Sequence, residues 1–213
     1  MILAAAVCPH PPALLPEVSP GTDAELGPVR RAADEAVRAL LDVAPERVVV
    51  LGPGPSADDL DEDAGGSLAA YGAAVHAGGP TTVLPLSLTI GAWLLDRAGW
   101  TGPRTYSTGR PDVDGRVALL VMADGSAKRS LQAPGFLDER AEGFDASIAA
   151  ALAAGDPEAL TALDLGLAEE LAAGGVPALR TLGELTKGAD VTARLRFDAA
   201  PLGVGYLVAD WVL

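Results

Sequence analysis

The stretch Met1-Ile-Leu-Ala-Ala-Ala-Val-Cys-Pro-His-Pro-Pro-Ala-Leu-Leu-Pro-Glu17 decides how the rest of the chain is interpreted. Its apolar run from Ile2 to Val7 predicts a buried strand. The prolines after Cys8 end that strand, because proline cannot donate to a strand ladder. His10 is therefore expected at the tip of the first strand. Strand tips of open α/β sheets are common positions for ligands and metals.

The next segments predict a helix and a second strand. Thr22 or Asp23 is expected to cap a helix that continues to Ala44, where Pro45 stops it. The compact apolar run Arg47-Val-Val-Val-Leu51 then predicts a strand. This strand–helix–strand order is typical of a βαβ unit with a right-handed crossover.

The remainder of the chain continues the alternation of helices and strands. The patterns predict an acidic surface loop over 56–66, strands over 81–86 and 117–122, a helix over 89–98, a largely helical stretch over 138–185 with breaks near 156–157 and 174–175, and closing strands over 191–197 and 204–212. No internal repeat or linker is found. Residues 1–213 are thus predicted to form a single-domain α/β/α sandwich with a central, mostly parallel mixed sheet.

Composition restricts the classes of partner and compartment. A net charge of −14 without any basic run argues against a nucleic-acid partner, since phosphate binding needs clustered Lys and Arg. The opening apolar run is too short for a signal peptide, and no stretch approaches membrane-spanning length. The single cysteine, Cys8, fits a reducing compartment. The sequence predicts a cytoplasmic protein with no membrane partner.

Several polar side chains are candidates for a site. His10 is either a metal ligand or acid/base group, or a histidine fixed in a proline-rich turn. Asp124 and Ser126 follow the strongest central-strand pattern, where they would either line a pocket or form a turn. His76 lies among small residues near a loop, which favours a structural or exposed role. Cys8 is either a reactive thiol or a buried strand-end cysteine.

A glycine-rich turn after the second strand is not expected to bind phosphate. Gly52-Pro-Gly-Pro55 lacks the G-x-G-x-x-G spacing, and its prolines remove the N–H donors that a phosphate would need. A rigid turn is the favoured interpretation.

Four segments in order resemble the LigB-like class III extradiol ring-cleavage dioxygenases and their Memo-type relatives. Val7-Cys-Pro-His-Pro-Pro-Ala-Leu-Leu-Pro16 resembles the opening P-H-P-P-x-L-x-P of that family. Val48-Val-Val-Leu-Gly-Pro-Gly54 is similar to the strand that ends S-P-H-G, and Val121-Met-Ala-Asp-Gly-Ser-Ala127 to the strand that ends G-D-x-S-H. Ala200-Pro-Leu-Gly-Val-Gly-Tyr206 resembles the C-terminal A-P-F-G-V-G-Y. The resemblance implies an α/β sandwich over nearly the whole chain.

The resemblance also implies a non-haem Fe(II) site at the strand tips, held by two histidines and a carboxylate, with a further histidine as acid/base. His10 matches the first metal histidine. The second metal histidine falls at Gly54 and the acid/base histidine at Ala127. The C-terminal glutamate falls at Ala199, with Asp198 one residue upstream. The family needs three imidazoles and the chain has two, so ring cleavage by the family mechanism is not expected.

Three hypotheses of function follow. The first is a LigB-like scaffold with an eroded iron site, in which Cys8, Gly54 and Ala127 line a pocket and the protein binds a small molecule or a protein partner. The alternative is an enzyme that uses Fe(II) or another divalent metal at a rebuilt site. That site would join His10, His76 and a carboxylate from among Asp58, Asp59, Asp124 and Asp198. The third is a homo- or hetero-oligomer whose partner completes the site.

Overall fold

The structure is a computed structural model that describes residues 1–55 and 59–213. Its strands are β1 (Ile2–Cys8), β2 (Arg47–Leu51), β3 (Ala64–Ser67), β4 (His76–Gly78), β5 (Thr81–Thr82), β6 (Arg104–Ser107), β7 (Val117–Met122), β8 (Thr192–Ala199) and β9 (Tyr206–Val212). Its helices are α1 (Asp23–Asp42), α2 (Leu86–Arg97), α3 (Ala141–Ala154), α4 (Pro157–Thr161), α5 (Leu165–Glu170) and α6 (Val176–Thr186). Single 3-10 turns occupy Pro12–Leu14 and Ala69–Tyr71.

A mixed, mostly parallel sheet of six strands forms the centre of the molecule, in the order β6-β2-β7-β1-β9-β8. The first four strands in that order are parallel to one another. β9 runs antiparallel to β1, and β8 runs antiparallel to β9. A small second sheet has the order β4-β3-β5.

Helices cover both faces of the six-stranded sheet. Alternate strand residues point to opposite sides, so an apolar strand presents an apolar surface on each face. On β1, Ala6 and Cys8 pack in the core that contains α1 and α2, whereas Ala5 and Val7 pack in the core that contains α3 and α6. The three central strands are apolar on both faces, as expected for parallel strands with helices on each side. The architecture is an α/β sandwich.

A buried arginine fixes the segment that follows the tip of β1. The side chain of Arg30 in α1 is only 9% exposed and donates to the carbonyl oxygens of Ala13 and Leu14 at 3.1 and 2.9 Å. It also bonds Asp23 and Ser19 at 2.7 and 2.8 Å. The turn between β1 and α1 is thus held to the helix by one side chain.

The three central strands agree with the sequence patterns. β2 and β7 have the predicted bounds, and β1 extends the predicted strand by one residue. β1 and β2 are not neighbours, since β7 pairs with both of them. Helix α1 ends at Asp42, before Ala44 takes a left-handed φ of 51°.

Two local predictions are corrected. The strand predicted over 81–86 is reduced to the two residues of β5, because Leu86 already begins α2 after Pro85. The loop predicted over 56–66 ends earlier, since Ala64 begins β3, and residues 56–58 lie outside the described residues. The edge strand β6 and the strands β3 and β4 of the small sheet carry too weak an alternating pattern to be predicted.

Within the described ranges, no helix is both long and apolar enough to cross a membrane.

Candidate functional site

The candidate site lies where β1 and β7 end side by side. Cys8 is opposite Met122 in the parallel register of these strands, and the Ala123 N–H donates to the Cys8 carbonyl at 2.8 Å. The next residues along each chain segment bring His10 and Asp124 together. The sheet order therefore unites two candidates that are 114 residues apart in sequence.

His10 and Asp124 make two contacts with each other. The His10 backbone N–H donates to Asp124 Oδ1 at 2.9 Å, and His10 Nδ1 lies 3.6 Å from Asp124 Oδ2. His10 Nδ1 is buried without a hydrogen-bond partner. Burial raises the pKa of the Asp124 carboxyl, and His10 offsets part of that rise. The pair is a partly desolvated imidazole beside a carboxylate, with side chains 15% and 16% exposed.

The C-terminal motif segment joins the turn that carries Asp124. The Gly125 N–H donates to the Gly205 carbonyl at 2.7 Å, and the Gly205 N–H donates to the Ser126 carbonyl at 2.9 Å. The buried phenol of Tyr206 lies near Asp124, and its pKa is raised chiefly by burial and also by the Asp124 charge. The segment after β7 and the residues at the start of β9 thus form one edge of the site.

Ser126 and Ala127 do not present reactive groups. Ser126 is fully buried, and its hydroxyl donates to the Leu171 carbonyl at 2.8 Å while accepting from the Lys128 N–H at 3.1 Å. Both uses of that hydroxyl are structural, which favours the turn over the pocket-lining interpretation. The Ala127 side chain is a methyl group that can neither ligate a metal nor move a proton.

Gly54 follows β2 on the same edge of the sheet and has no room for a side chain. A Cβ at Gly54 would lie 2.7 Å from Thr108 Cγ2 and 2.9 Å from Pro85 Cγ. Thr108 itself is fixed by a hydrogen bond to the Pro55 carbonyl at 2.8 Å. The position where the resemblance expects a metal histidine is therefore filled by its neighbours.

Cys8 packs in the apolar core on the α1 side of the sheet and is fully buried. Its burial and the charges of Asp34 and Asp210 raise the pKa of the thiol. A protonated, inaccessible thiol is a packing residue, not a nucleophile.

The other candidate ligands lie apart from this pair. His76 is an exposed residue of β4, and its Nε2 lies 2.7 Å from the Gly79 carbonyl oxygen. Asp198 is exposed on the edge strand β8, and Asp59 Oδ2 accepts from the Asp112 N–H at 3.1 Å. Asp58 falls outside the described residues.

No three His, Cys, Asp or Glu side chains among residues 1–55 and 59–213 are grouped so that they could hold a metal ion. The alternative site of His10, His76 and a carboxylate therefore has no support in this part of the chain. The residues present also do not fit the Fe(II) that the resemblance implies, because His10 has a carboxylate beside it but neither of the other two imidazoles.

A buried carboxylate that the sequence patterns did not single out lies behind the Asp124 turn. Asp145 in α3 is 1% exposed and accepts from the Ser126 N–H at 2.7 Å and from Arg129 at 2.9 Å. It shares the inner helix face with Ile148 and Leu152. An acidic residue on an otherwise apolar helix face is the signal that would have identified it.

No model of a known protein family matches the chain, and no curated protein matches it. The function is therefore inferred from the sequence motifs together with the geometry of the strand tips.

Proposed function

We propose that the chain is a divergent LigB-like class III extradiol dioxygenase homologue, also related to Memo-type proteins, whose Fe(II) site is eroded. It does not cleave aromatic rings and acts as a binding or interaction protein. The observation that carries this proposal is that the four motif segments share one edge of the sheet, while Gly54 and Ala127 provide no ligand there.

The contacts at that edge support the shared location. His10 and Asp124 meet directly, and the Asp124 turn is hydrogen-bonded to Gly205. Gly52 lies close to the same edge, since a Cβ there would be 3.1 Å from Met122 Cβ at the end of β7. The motif residues are therefore neighbours in space although they are far apart in sequence.

The chemistry that remains is recognition by hydrogen bonds. An imidazole beside a partly buried carboxylate can donate to and accept from a small polar ligand. One imidazole and one carboxylate hold a divalent iron poorly, because the facial triad that supports extradiol chemistry needs three protein ligands. Binding without oxygen activation is the function that this set of side chains supports best.

The test is iron loading combined with oxygen uptake. The purified protein is incubated anaerobically with Fe(II), desalted and assayed for bound iron, then mixed with catechol in an oxygen electrode. We expect substoichiometric iron and no catechol-dependent oxygen uptake. The His10→Ala and His76→Ala variants serve as matched controls for any iron that remains. Stoichiometric iron that is lost only in His10→Ala, together with oxygen uptake, would refute the proposal.

Replacing Gly54 by histidine is expected not to restore an iron site. The new side chain would collide with the Thr108 methyl and the Pro85 ring, so the turn after β2 must move to admit it. We expect Gly54→His to unfold at lower denaturant concentration than the wild type and to bind no more Fe(II). Gly109→His is the control, because nothing lies within 4 Å of a Cβ at that position. Tight iron binding by Gly54→His at unchanged stability would contradict this prediction.

A further inference from the structure

Asp145 connects the helical layer to the edge of the sheet that carries the candidate site. It belongs to α3, whereas its two hydrogen-bond donors, the Ser126 N–H and the Arg129 guanidinium, belong to the segment after β7. The distances are 2.7 and 2.9 Å, and the carboxylate is 1% exposed. Removing it would leave the buried Ser126 N–H without its acceptor, and the largely buried Arg129 with only Glu142 at 3.5 Å.

Two glycines allow the carboxylate to approach this closely. A Cβ at Gly125 would lie 2.6 Å from Asp145 Oδ1, and a Cβ at Gly205 would lie 2.1 Å from Asp145 Oδ2. Neither glycine has a left-handed φ, so backbone conformation does not require glycine at these positions. The close approach of Asp145 is what requires it.

The two segments that Asp145 touches are also bonded to each other. Besides the pair of bonds between the Gly125–Ser126 turn and Gly205, the Arg129 N–H donates to the Gly203 carbonyl at 3.0 Å. Asp145 thus lies against the point where the segment after β7 meets the segment before β9. Asp124, which holds the His10 backbone N–H, is the residue immediately before this junction.

We propose that Asp145 is the positioning residue of the candidate site, holding the Asp124 turn and the segment before β9 together so that Asp124 meets His10. This inference rests on the proposed function only in taking His10 and Asp124 as the site. Arg129, from the segment after β7, faces the carboxylate of Asp145 at 2.9 Å. Arg129 Nη2 also lies 3.5 Å from Oε1 of Glu142, which is on the same helix as Asp145. The charge of Asp198 on β8 also acts on the Asp145 carboxylate.

A matched pair of residues makes the inference testable. Asp210 in β9 is likewise buried and bonds Arg196, which has a second partner in Glu35, just as Arg129 has in Glu142. Asp210 pairs with Arg194 across the β8–β9 ladder, four residues beyond Tyr206 along the strand. Asp145→Ala and Asp210→Ala therefore each remove a buried carboxylate from an arginine that keeps a glutamate partner. Only Asp145→Ala also removes the acceptor of the Ser126 N–H.

The experiment compares hydrogen exchange and histidine NMR in the wild type and these two variants. In Asp145→Ala we expect the amides of residues 123–130 and 200–206 to exchange about tenfold faster or more, while β1 and β2 keep their protection. The chain has two histidines, so the ring signals of His10 and His76 can be told apart with a His76→Gln variant. The His10 ring signals are expected to shift in Asp145→Ala and to stay unchanged in Asp210→Ala.

Unchanged protection of both segments in Asp145→Ala, or equal His10 shifts in both variants, would overturn the inference. If the alanine variants do not fold, Asp145→Asn and Asp210→Asn are compared instead, since asparagine keeps the shape but places an amide against the arginine. These outcomes do not depend on iron binding or oxygen uptake. Failure of this inference is therefore distinguishable from failure of the proposed function.

Discussion

At both Gly54 and Gly205 the space that a side chain would need is occupied, but by different kinds of group. At Gly54 the space is filled by Thr108 and Pro85, which belong to neighbouring turns. At Gly205 it is filled by the carboxylate of Asp145, which is hydrogen-bonded and cannot withdraw without losing Ser126 and Arg129. A substitution at Gly205 therefore disturbs a polar junction and not only packing.

Gly205→Ala is expected to destabilise the protein by about 1–3 kcal/mol, the usual range for overpacking a well-filled interior. The free energy of unfolding measured in urea tests this. Gly143→Ala is the control, because nothing lies within 4 Å of a Cβ there and the position is inside α3. Alanine at such a helical position is expected to stabilise by about 0.5–1 kcal/mol. Equal stability of the wild type and Gly205→Ala would show that Asp145 moves freely.

Sequence patterns identified His10 and Asp124 as candidates, but offered Asp124 only as one of four carboxylates that could join His10 and His76. The contact between His10 and Asp124 depends on β7 lying next to β1, and the order of strands in a sheet is set by packing between distant segments. Asp145 was missed as a site residue for a related reason. Its partners Ser126 and Arg129 are far enough along the chain that no local pattern connects them to α3.

At the scale of a whole element, the side chain of Arg30 anchors the turn between β1 and α1 to the helix. The arginine donates to the carbonyls of Ala13 and Leu14, and it also bonds Ser19 and Asp23 near the start of α1. The Ser19 hydroxyl is a second donor to the Ala13 carbonyl. The segment that follows His10 is thus anchored from the helix side.

Arg30→Met is expected to lower the free energy of unfolding by about 2–4 kcal/mol, because it leaves the carbonyl oxygen of buried Leu14 without its donor and removes the bonds to Asp23 and Ser19. Thermal and urea unfolding check this value. Arg31→Met provides the control, since Arg31 is exposed and surface substitutions usually change stability by less than about 0.5 kcal/mol. Similar losses in the two variants would contradict the assigned role of Arg30.

Elements with continuous apolar runs or clear alternation, such as β8 and β9, could be predicted from the sequence, whereas short polar or glycine-rich strands could not. Val117–Met122 is buried at every position, so its hydrophobicity alone marks it as a central strand. The edge strand Arg104–Ser107 is polar apart from its one tyrosine, and only its pairing with β2 makes it a strand. Gly65 and Gly66 in β3 form a strand because Ala77 and Gly78 pair with them, against their intrinsic preference.

At the scale of the whole molecule, acid is expected to affect stability through buried carboxyl groups as well as through the net charge of −14. Burial raises the pKa of Asp145 above its ordinary value of 3.8, and the bonds from Ser126 and Arg129 offset only part of this. The folded state therefore takes up a proton before the unfolded state as the pH falls. The stability that this proton uptake adds is complete below the ordinary pKa and is lost as the pH rises through the raised value.

The wild type is accordingly expected to gain stability relative to Asp145→Asn on acidification, since asparagine does not titrate. Urea unfolding of both proteins at about pH 4.5 and about pH 7.5 measures the difference. A difference that grows with rising pH instead would mean that the Arg129 ion pair outweighs the burial of the carboxyl.

The single cysteine, Cys8, can report how often the central sheet opens. Cys8 lies in β1, inside the six-stranded sheet, with no exposed surface and with a thiol whose pKa is raised by burial. A thiol reagent can therefore react with Cys8 only after the sheet has opened locally. The labelling rate of unmodified protein under native conditions measures how often the central sheet opens, without any introduced probe.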